Sequence, residues 1–338
     1  MKTSAIDLLE CTLRDGSYQV GFGFTAQDTA AIAASLDQAG FPEIEVAHGL
    51  GLGGGQQPGC AAAESDAGYI DAARQAVKRA RLGVFAIPSM ASPAMVTDAA
   101  RRGVDYIRIG VEAGNPARAE ELVKVCLDEG VDPYVFFMQS GLVGPDVLGE
   151  NAAVAASFGA KTVYVVDSAG FMLPQDVTAY IQAVRSRADL RVGFHGHNNL
   201  QLVMANAIAA VEAGATLIDC TLRGLGRSSG NPQTEVLTLV LTRLGYKTGV
   251  DTAAAMQAAD RFIAPLENAG GNESIDIALG YAGLHSRFVP KLSEIAEKQG
   301  MTTIDLLLAA GHFGKPTSRM EDLLDIAYQF SAKRRAHS

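Results

Sequence analysis

Apolar residues fall in short dense runs, separated by longer stretches with a different rhythm. Eight runs stand out: "IDLLECTL" (6–13), "EIEVAH" (43–48), "LGVFAI" (82–87), "YIRIGV" (106–111), "PYVFFM" (133–138), "TVYVVDS" (162–168), "RVGFHGH" (191–197) and "TLIDCTL" (216–222). Their β-branched and aromatic content predicts strands. Between them, Ala, Leu, Glu and Arg recur at helical spacing. "TAQDTAAIAASLDQAG" offers Thr25 as an N-cap and Gly40 as a C-terminal stop. "NPARAEELVKVCLDEG" offers an Asn115 cap, Pro116 at the first helical position and Gly130 at the end. "PQDVTAYIQAVRSRA" and "LQLVMANAIAAVEAG" repeat the pattern, and "PQTEVLTLVLTRLG" follows the eighth run.

A strand followed by a helix, eight times, predicts an α/β fold with a parallel sheet. Eight is the number at which such a sheet closes into a (β/α)8 TIM barrel. The competing architecture is an open doubly wound sheet, which usually carries a G-x-G-x-x-G turn after its first strand. Here the first strand runs into Arg14-Asp15-Gly16 instead. The barrel is expected to occupy residues 1–250. Residues 251–338 carry helical patterns at "TAAAMQAADRFIAPLENA", "VPKLSEIAEKQG", "TTIDLLLAAG" and "SRMEDLLDIAYQF", which predict a small C-terminal helical domain. The glycine-rich "HGLGLGGGQQPG" lacks the Lys-Ser/Thr of a phosphate cradle and reads as a loop.

With 338 residues, 48% of them hydrophobic, the chain can bury a large core. Its net charge of −9 offers no electrostatic footprint for nucleic acid, and the basic end "AKRRAHS" reads as a solvated tail. Four cysteines show no C-x-x-C spacing; Cys11 and Cys220 lie in apolar runs and read as small buried hydrophobes. The first residues hold no apolar signal core, and no run reaches membrane-spanning length. The expectation is a cytoplasmic protein without membrane or nucleic-acid partners.

In a barrel, the C-terminal strand ends face the active site. Arg14 and Asp15 lie there after the first strand, His48 after the second, Asp167 and Ser168 after the sixth, and His195 and His197 after the seventh. Arg223 follows the eighth. Residues two apart on a strand point the same way, so "HGHNN" sends both His195 and His197 into the barrel mouth. With Asp15 from the first strand they make a two-nitrogen, one-oxygen set for a divalent cation. Three octahedral positions stay open, which suits Mn²⁺, Mg²⁺ or Co²⁺ better than a closed zinc site. A 2-oxo acid could chelate two of them. Taken alone, an H-x-H pair also fits two hydrogen-bonded histidines. Arg14 reads as a guanidinium holding a developing enolate oxygen, or as a buried salt bridge. Ser168 reads as a carboxylate contact or as a helix N-cap.

At this point the motifs resemble a family. "TLRDG", "EIEVAHGLGLGG", "VYVVDSAG", "HGHNNLQL" and "GYAGLHSRF" are similar to the metal-dependent pyruvate aldolases of the 4-hydroxy-2-oxovalerate aldolase type. These belong to the wider barrel superfamily of isopropylmalate synthase and hydroxymethylglutaryl-CoA lyase. The similarity runs from about Leu9 to Phe330. It implies a class II aldolase that forms or cleaves a 4-hydroxy-2-oxo acid from pyruvate and an aldehyde through the pyruvate enolate. It further implies that Asp15, His195 and His197 bind the metal, usually Mn²⁺, that Arg14 stabilises the enolate, and that Ser168 contacts the pyruvate carboxylate. His48 is a retained substrate-side residue, and Asn231 in "GRSSGN" matches an asparagine that reaches the metal in the CoA-lyase branch. Catabolic members often associate with an acylating aldehyde dehydrogenase, and a homodimer or higher homo-oligomer is expected.

The chain also departs from the family. Tyr18 stands where the family's aldolases place the histidine that acts as general base, and His285 stands where they place a tyrosine. Leu50, Asn198 and Arg223 replace an acid, a histidine and a small residue. The exchange makes His285 the expected acid/base, with Tyr18 orienting it or the substrate. Two other readings stay open: a Claisen-type acyl-CoA condensing enzyme or lyase, towards which "GLGRSSGN" leans, and a catalytically idle partner subunit.

Overall fold

The computed structural model describes residues 5–267, 270–271, 274–282, 284, 288–312, 325–326 and 328–329. The chain divides into two compact units, Met1–Gly270 and Gly271–Ser338. In the first, eight strands pair in parallel and in chain order into a closed barrel. They are β1 (Asp7–Glu10), β2 (Glu43–Val46), β3 (Arg81–Ala86), β4 (Tyr106–Glu112), β5 (Asp132–Met138), β6 (Thr162–Asp167), β7 (Arg191–Gly196) and β8 (Leu217–Cys220). A β1–β8 ladder from Asp7↔Leu217 to Glu10↔Cys220 closes the ring.

The strands alternate with α1 (Ala26–Ala39), α2 (Asp66–Ala76), α3 (Pro93–Arg101), α4 (Glu120–Asp128), α5 (Pro145–Ser157), α6 (Pro174–Arg187), α7 (Val203–Ala213) and α8 (Thr234–Arg243). Local signals set several of their ends. Thr25 and Asp28 form a capping box on α1, and Gly40 ends it at φ 89°. The Asn115-Pro116 signal behaves differently from expectation. Pro116–Ala119 forms a 3-10 turn without an Asn115 side-chain cap, and α4 starts only at Glu120.

The first unit extends past the eighth βα repeat, because α9 (Thr252–Ala258) lies against α1. Ala255, Ala258 and Ile263 join the barrel's main apolar cluster. The second unit holds α10 (Ser274–Ala282), α11 (Val289–Lys298) and α12 (Thr303–His312) around Leu292, Leu306 and Leu307. The sequence pattern did not single out α10, and most of the pattern at 318–330 lies outside the described residues. No helix among the described residues is long and apolar enough to cross a membrane.

The barrel interior is only partly apolar. Leu9, Phe85, Tyr106, Phe136 and Tyr164 fill much of it. Charged side chains share the space: Glu43, Glu45, Arg108 and Asp219 are all buried. On β2, Ile44 and Val46 belong to the cluster under the helices, while the two glutamates face the lumen. Arg108 pairs with Glu45 through two nitrogens and with Asp219 on the opposite strand. Its guanidinium also lies 4.9 Å from the ring centre of Tyr164 and 5.0 Å from that of Phe136. Toward the strand starts, Arg191 bridges Asp7 and Glu43. Such pairs gain little stability over apolar packing, yet breaking one strands a buried charge. Arg108→Ala is therefore expected to cost about 3–5 kcal/mol in urea unfolding. A loss below about 1 kcal/mol would show that the network is dispensable for stability.

Candidate active site

After Glu10 the chain leaves the sheet and tightens. The amides of Arg14 and Asp15 both donate to the Cys11 carbonyl, at 3.1 and 2.7 Å, and a 3-10 turn follows over Asp15–Tyr18. This turn lays Arg14 and Asp15 across the barrel mouth. Arg14 donates through Nε to Glu45 and through Nη1 to Asp15, both at 2.6 Å, and sits 5.0 Å from the Phe85 ring centre. Burial works against its charge, but Glu45 and Asp15 outweigh that and hold the guanidinium more firmly protonated than usual. Its Nη2 is buried with no protein partner. Arg14 is thus both a buried ion pair and a spare donor at the cleft wall.

His195 is the penultimate residue of β7, and the His197 amide extends the pairing by donating to the Asp167 carbonyl. Both rings are buried and meet edge to face at 5.0 Å. His195 Nδ1 lies 2.7 Å from Asp219 Oδ2, and His197 Nδ1 lies 3.3 Å from the Gly230 carbonyl. An oxygen beside each Nδ1 places the proton there and leaves each Nε2 with its lone pair, the arrangement found around metal-bound imidazoles. Burial first, then the neighbouring His195 and Arg227, pushes His197 down to about 4 against the pull of Asp15. Its ring is therefore neutral at pH 7. Asp15 is also buried, but Arg14, both histidines and the Arg227 amide keep its carboxyl well below the usual range.

One ligand atom from each of Asp15, His195 and His197 lies within 4.8 Å of the others. One ionised carboxylate and two imidazole lone pairs fit a divalent cation. Cys11, His195 and Asp219 make a second grouping. It fits poorly, because burial pushes the Cys11 thiol well up and Arg108 and His195 already share Asp219 Oδ2.

The loop after β8 completes this wall. Glu10 and Glu235, each pushed by burial to about 7, accept from the amides of Leu222 and Arg223 where the loop begins. Further on, the Arg227 amide donates to Asp15 Oδ2 at 3.2 Å, and Asn231 donates to the Gly196 carbonyl at 3.0 Å. Asn231 Nδ2 is also 3.5 Å from His195 Nε2. The Arg227 guanidinium lies 3.0 Å from the Ser168 carbonyl and 3.3 Å from His197 Nε2. Sequence reasoning passed over Arg227. The signal available was a single cation inside the glycine-rich "GLGRSSGN".

Arg14, Asp15, His195, His197 and Arg227 line a cleft of about 490 Å³ that also includes Tyr18, Phe85, Glu112, Phe136, Gln139 and Ser168. Ser168 is not a helix cap: its hydroxyl accepts from the Gln139 amide at 3.0 Å, and α6 begins after Leu173. Tyr18 packs edge-on against Phe22 at 5.2 Å. Burial, reinforced by Asp15, raises its phenol above the ordinary value, which makes it a hydrogen-bond donor. Three of the residues at the strand ends are not among those lining the cleft. His48 turns into its own loop, with Nδ1 accepting from the Leu50 amide and Nε2 facing the Cys60 carbonyl; Phe22 stacks on its ring at 4.0 Å. Asp167 accepts the amides of Phe171 and Met172. Arg223 reaches the Gly270 carbonyl. His285 falls outside the described residues.

Known proteins similar to this chain identify its family. The family model described as HMGL-like matches residues 5–262. A protein of Carboxydothermus hydrogenoformans named 4-hydroxy-2-oxovalerate aldolase is 38% identical over 327 residues, covering 96% of this chain and 97% of its own. One of Nocardia farcinica, named 4-hydroxy-2-oxovalerate aldolase 2, is 39% identical over 334 residues, 98% of this chain and 96% of its own. Among solved structures, hydroxymethylglutaryl-CoA lyase from Pseudomonas aeruginosa shares the fold, with a TM-score of 0.66 at 19% identity over 79% of this chain and 96% of that one. With its closed barrel, a family model over most of its length and relatives matched over nearly the whole chain, the protein belongs to the HMGL-like family and, within it, to the 4-hydroxy-2-oxovalerate aldolases.

Proposed function

We propose that the protein is a divalent-metal-dependent aldolase that cleaves a 4-hydroxy-2-oxo acid to pyruvate and an aldehyde, or runs the reverse addition. The observation carrying this reading is the convergence of Asp15, His195 and His197 beside the spare Nη2 of Arg14. Its support from relatives is their shared name over nearly the full chain. When bound, the metal supplies Lewis acidity to the 2-oxo group. Asp15, His195 and His197 hold it. In cleavage the 4-hydroxyl loses its proton to a base and the C3–C4 bond breaks. Its electron pair passes to the pyruvate enolate, which is then protonated at carbon. Arg14 donates to the oxygen on which that negative charge develops. Ser168 meets the substrate carboxylate.

His285 is the base in this reading, and Tyr18, whose phenol keeps its proton, donates to the base or to the substrate. By family resemblance the ion is Mn²⁺, with Mg²⁺ or Co²⁺ able to serve. The same reading, by family resemblance, includes an acylating aldehyde dehydrogenase partner, a homo-oligomer and a cytoplasmic setting. The direct test is pyruvate release from 4-hydroxy-2-oxovalerate by the purified protein with Mn²⁺. No release with this or longer 4-hydroxy-2-oxo acids sinks the proposal.

Asp15→Ala, His195→Ala and His197→Ala should each remove most activity and weaken Mn²⁺ binding in calorimetry. Burial lowers His197 to about 4, so protonation of this ligand should weaken Mn²⁺ binding only as the pH falls towards that value. Full activity of all three variants in a chelator would mean that the ligands are misassigned. Arg14→Lys keeps the charge but loses the planar fork; turnover should drop about 10²–10³-fold while Mn²⁺ affinity changes little. Finally, His285→Ala should abolish the acidic limb of the rate profile and slow cleavage greatly, while Tyr18→Phe costs much less. The reverse order of damage would place the base elsewhere.

A further inference from the structure

We infer that Arg227 anchors a substrate carboxylate, either that of the 2-oxo acid or one carried by the acceptor aldehyde. The inference rests on the aldolase reading and adds a binding residue to it. Arg227 is exposed, lines the cleft, and faces only neutral groups, the Ser168 carbonyl and His197 Nε2. Among the described residues no carboxylate lies within ion-pair distance of its guanidinium, whereas Arg14, Arg108 and Arg191 are each paired with one or more. Glu112, the exposed acid of this cleft, stands at the end of β4, across the barrel from β8.

Arg227 is also held in place. Its amide is tied to Asp15, and Gln19 donates to the carbonyls of Gly226 and Ser228 on either side of it. The side chain therefore spans from a metal ligand to Ser168 with its charge uncompensated. The lone pair of His197 that faces Arg227 is the one a cation would take. A metal-loaded site leaves that N–H needing another acceptor, and a carboxylate matches the guanidinium fork.

The test uses the Mn²⁺-loaded protein and its Arg227→Met and Arg227→Lys variants. Pyruvate binding is read by calorimetry, and the preference for succinic semialdehyde over butanal is read in the addition reaction. Arg227→Met should weaken pyruvate binding, or erase the preference for the charged aldehyde, by about tenfold to a hundredfold. Arg227→Lys should recover part of it. Loss on pyruvate identifies the 2-oxo acid as the partner, and loss on the charged aldehyde alone identifies the acceptor. Unchanged pyruvate affinity together with an unchanged preference overturns the assignment, as does a matching fall in Mn²⁺ affinity. Cleavage by the wild type with an indifferent Arg227→Met variant would defeat this inference and spare the aldolase. Pyruvate binding that depends on Arg227 without cleavage would do the opposite.

Discussion

Arg108 has no solvent exposure and sits between Glu45 on one side of the lumen and Asp219 on the other. Each carboxylate also pairs with a residue of the mouth: Glu45 with Arg14 and Asp219 with His195. One buried cation thus fixes both the proposed enolate donor and a proposed metal ligand. In a low-dielectric interior such charges have few alternative arrangements, because every departure leaves one unpaired. The gain is orientation. A site whose dipoles are held before substrate arrives need not reorganise when charge develops.

The same logic explains why the rim was legible in the sequence and the layer beneath it was not. Strand-end position and period-two geometry were enough to select Asp15, His195 and His197, because those residues interrupt apolar runs where a barrel opens. Glu43 and Glu45 also interrupt a run, but alternation with Ile44 and Val46 says only that the two faces differ. It does not say that the polar face is the inside. The inward face became polar because Arg81 on the neighbouring strand, and Arg108 and Arg191 brought in by closure of the barrel, supply the countercharges.

His48 shows the opposite failure. Its position suggested a substrate contact, but Ala47 adopts φ 84° and both ring nitrogens are taken by the following loop. A local backbone turn overrode strand-end position. Arg227 was missed for a related reason: residues on a glycine-rich loop have no periodicity from which to read direction. The helix ends set by Thr25 and Gly40 were readable because capping is decided within four residues.

The loop after β8 has two kinds of position. A side chain at Gly226 would place its first carbon 1.9 Å from Asn231 Oδ1 and 2.9 Å from Asp15 Oδ2, and one at Gly230 would meet the Gly224 carbonyl at 2.1 Å. Those anchors cannot vary without pushing on the rim. Arg227, Ser228 and Ser229 between them are exposed. Mutational drift is therefore channelled into three neighbouring exposed positions, the first of which, Arg227, lines the cleft. A lineage built this way can change its menu of substrates one residue at a time while the reaction itself is inherited intact.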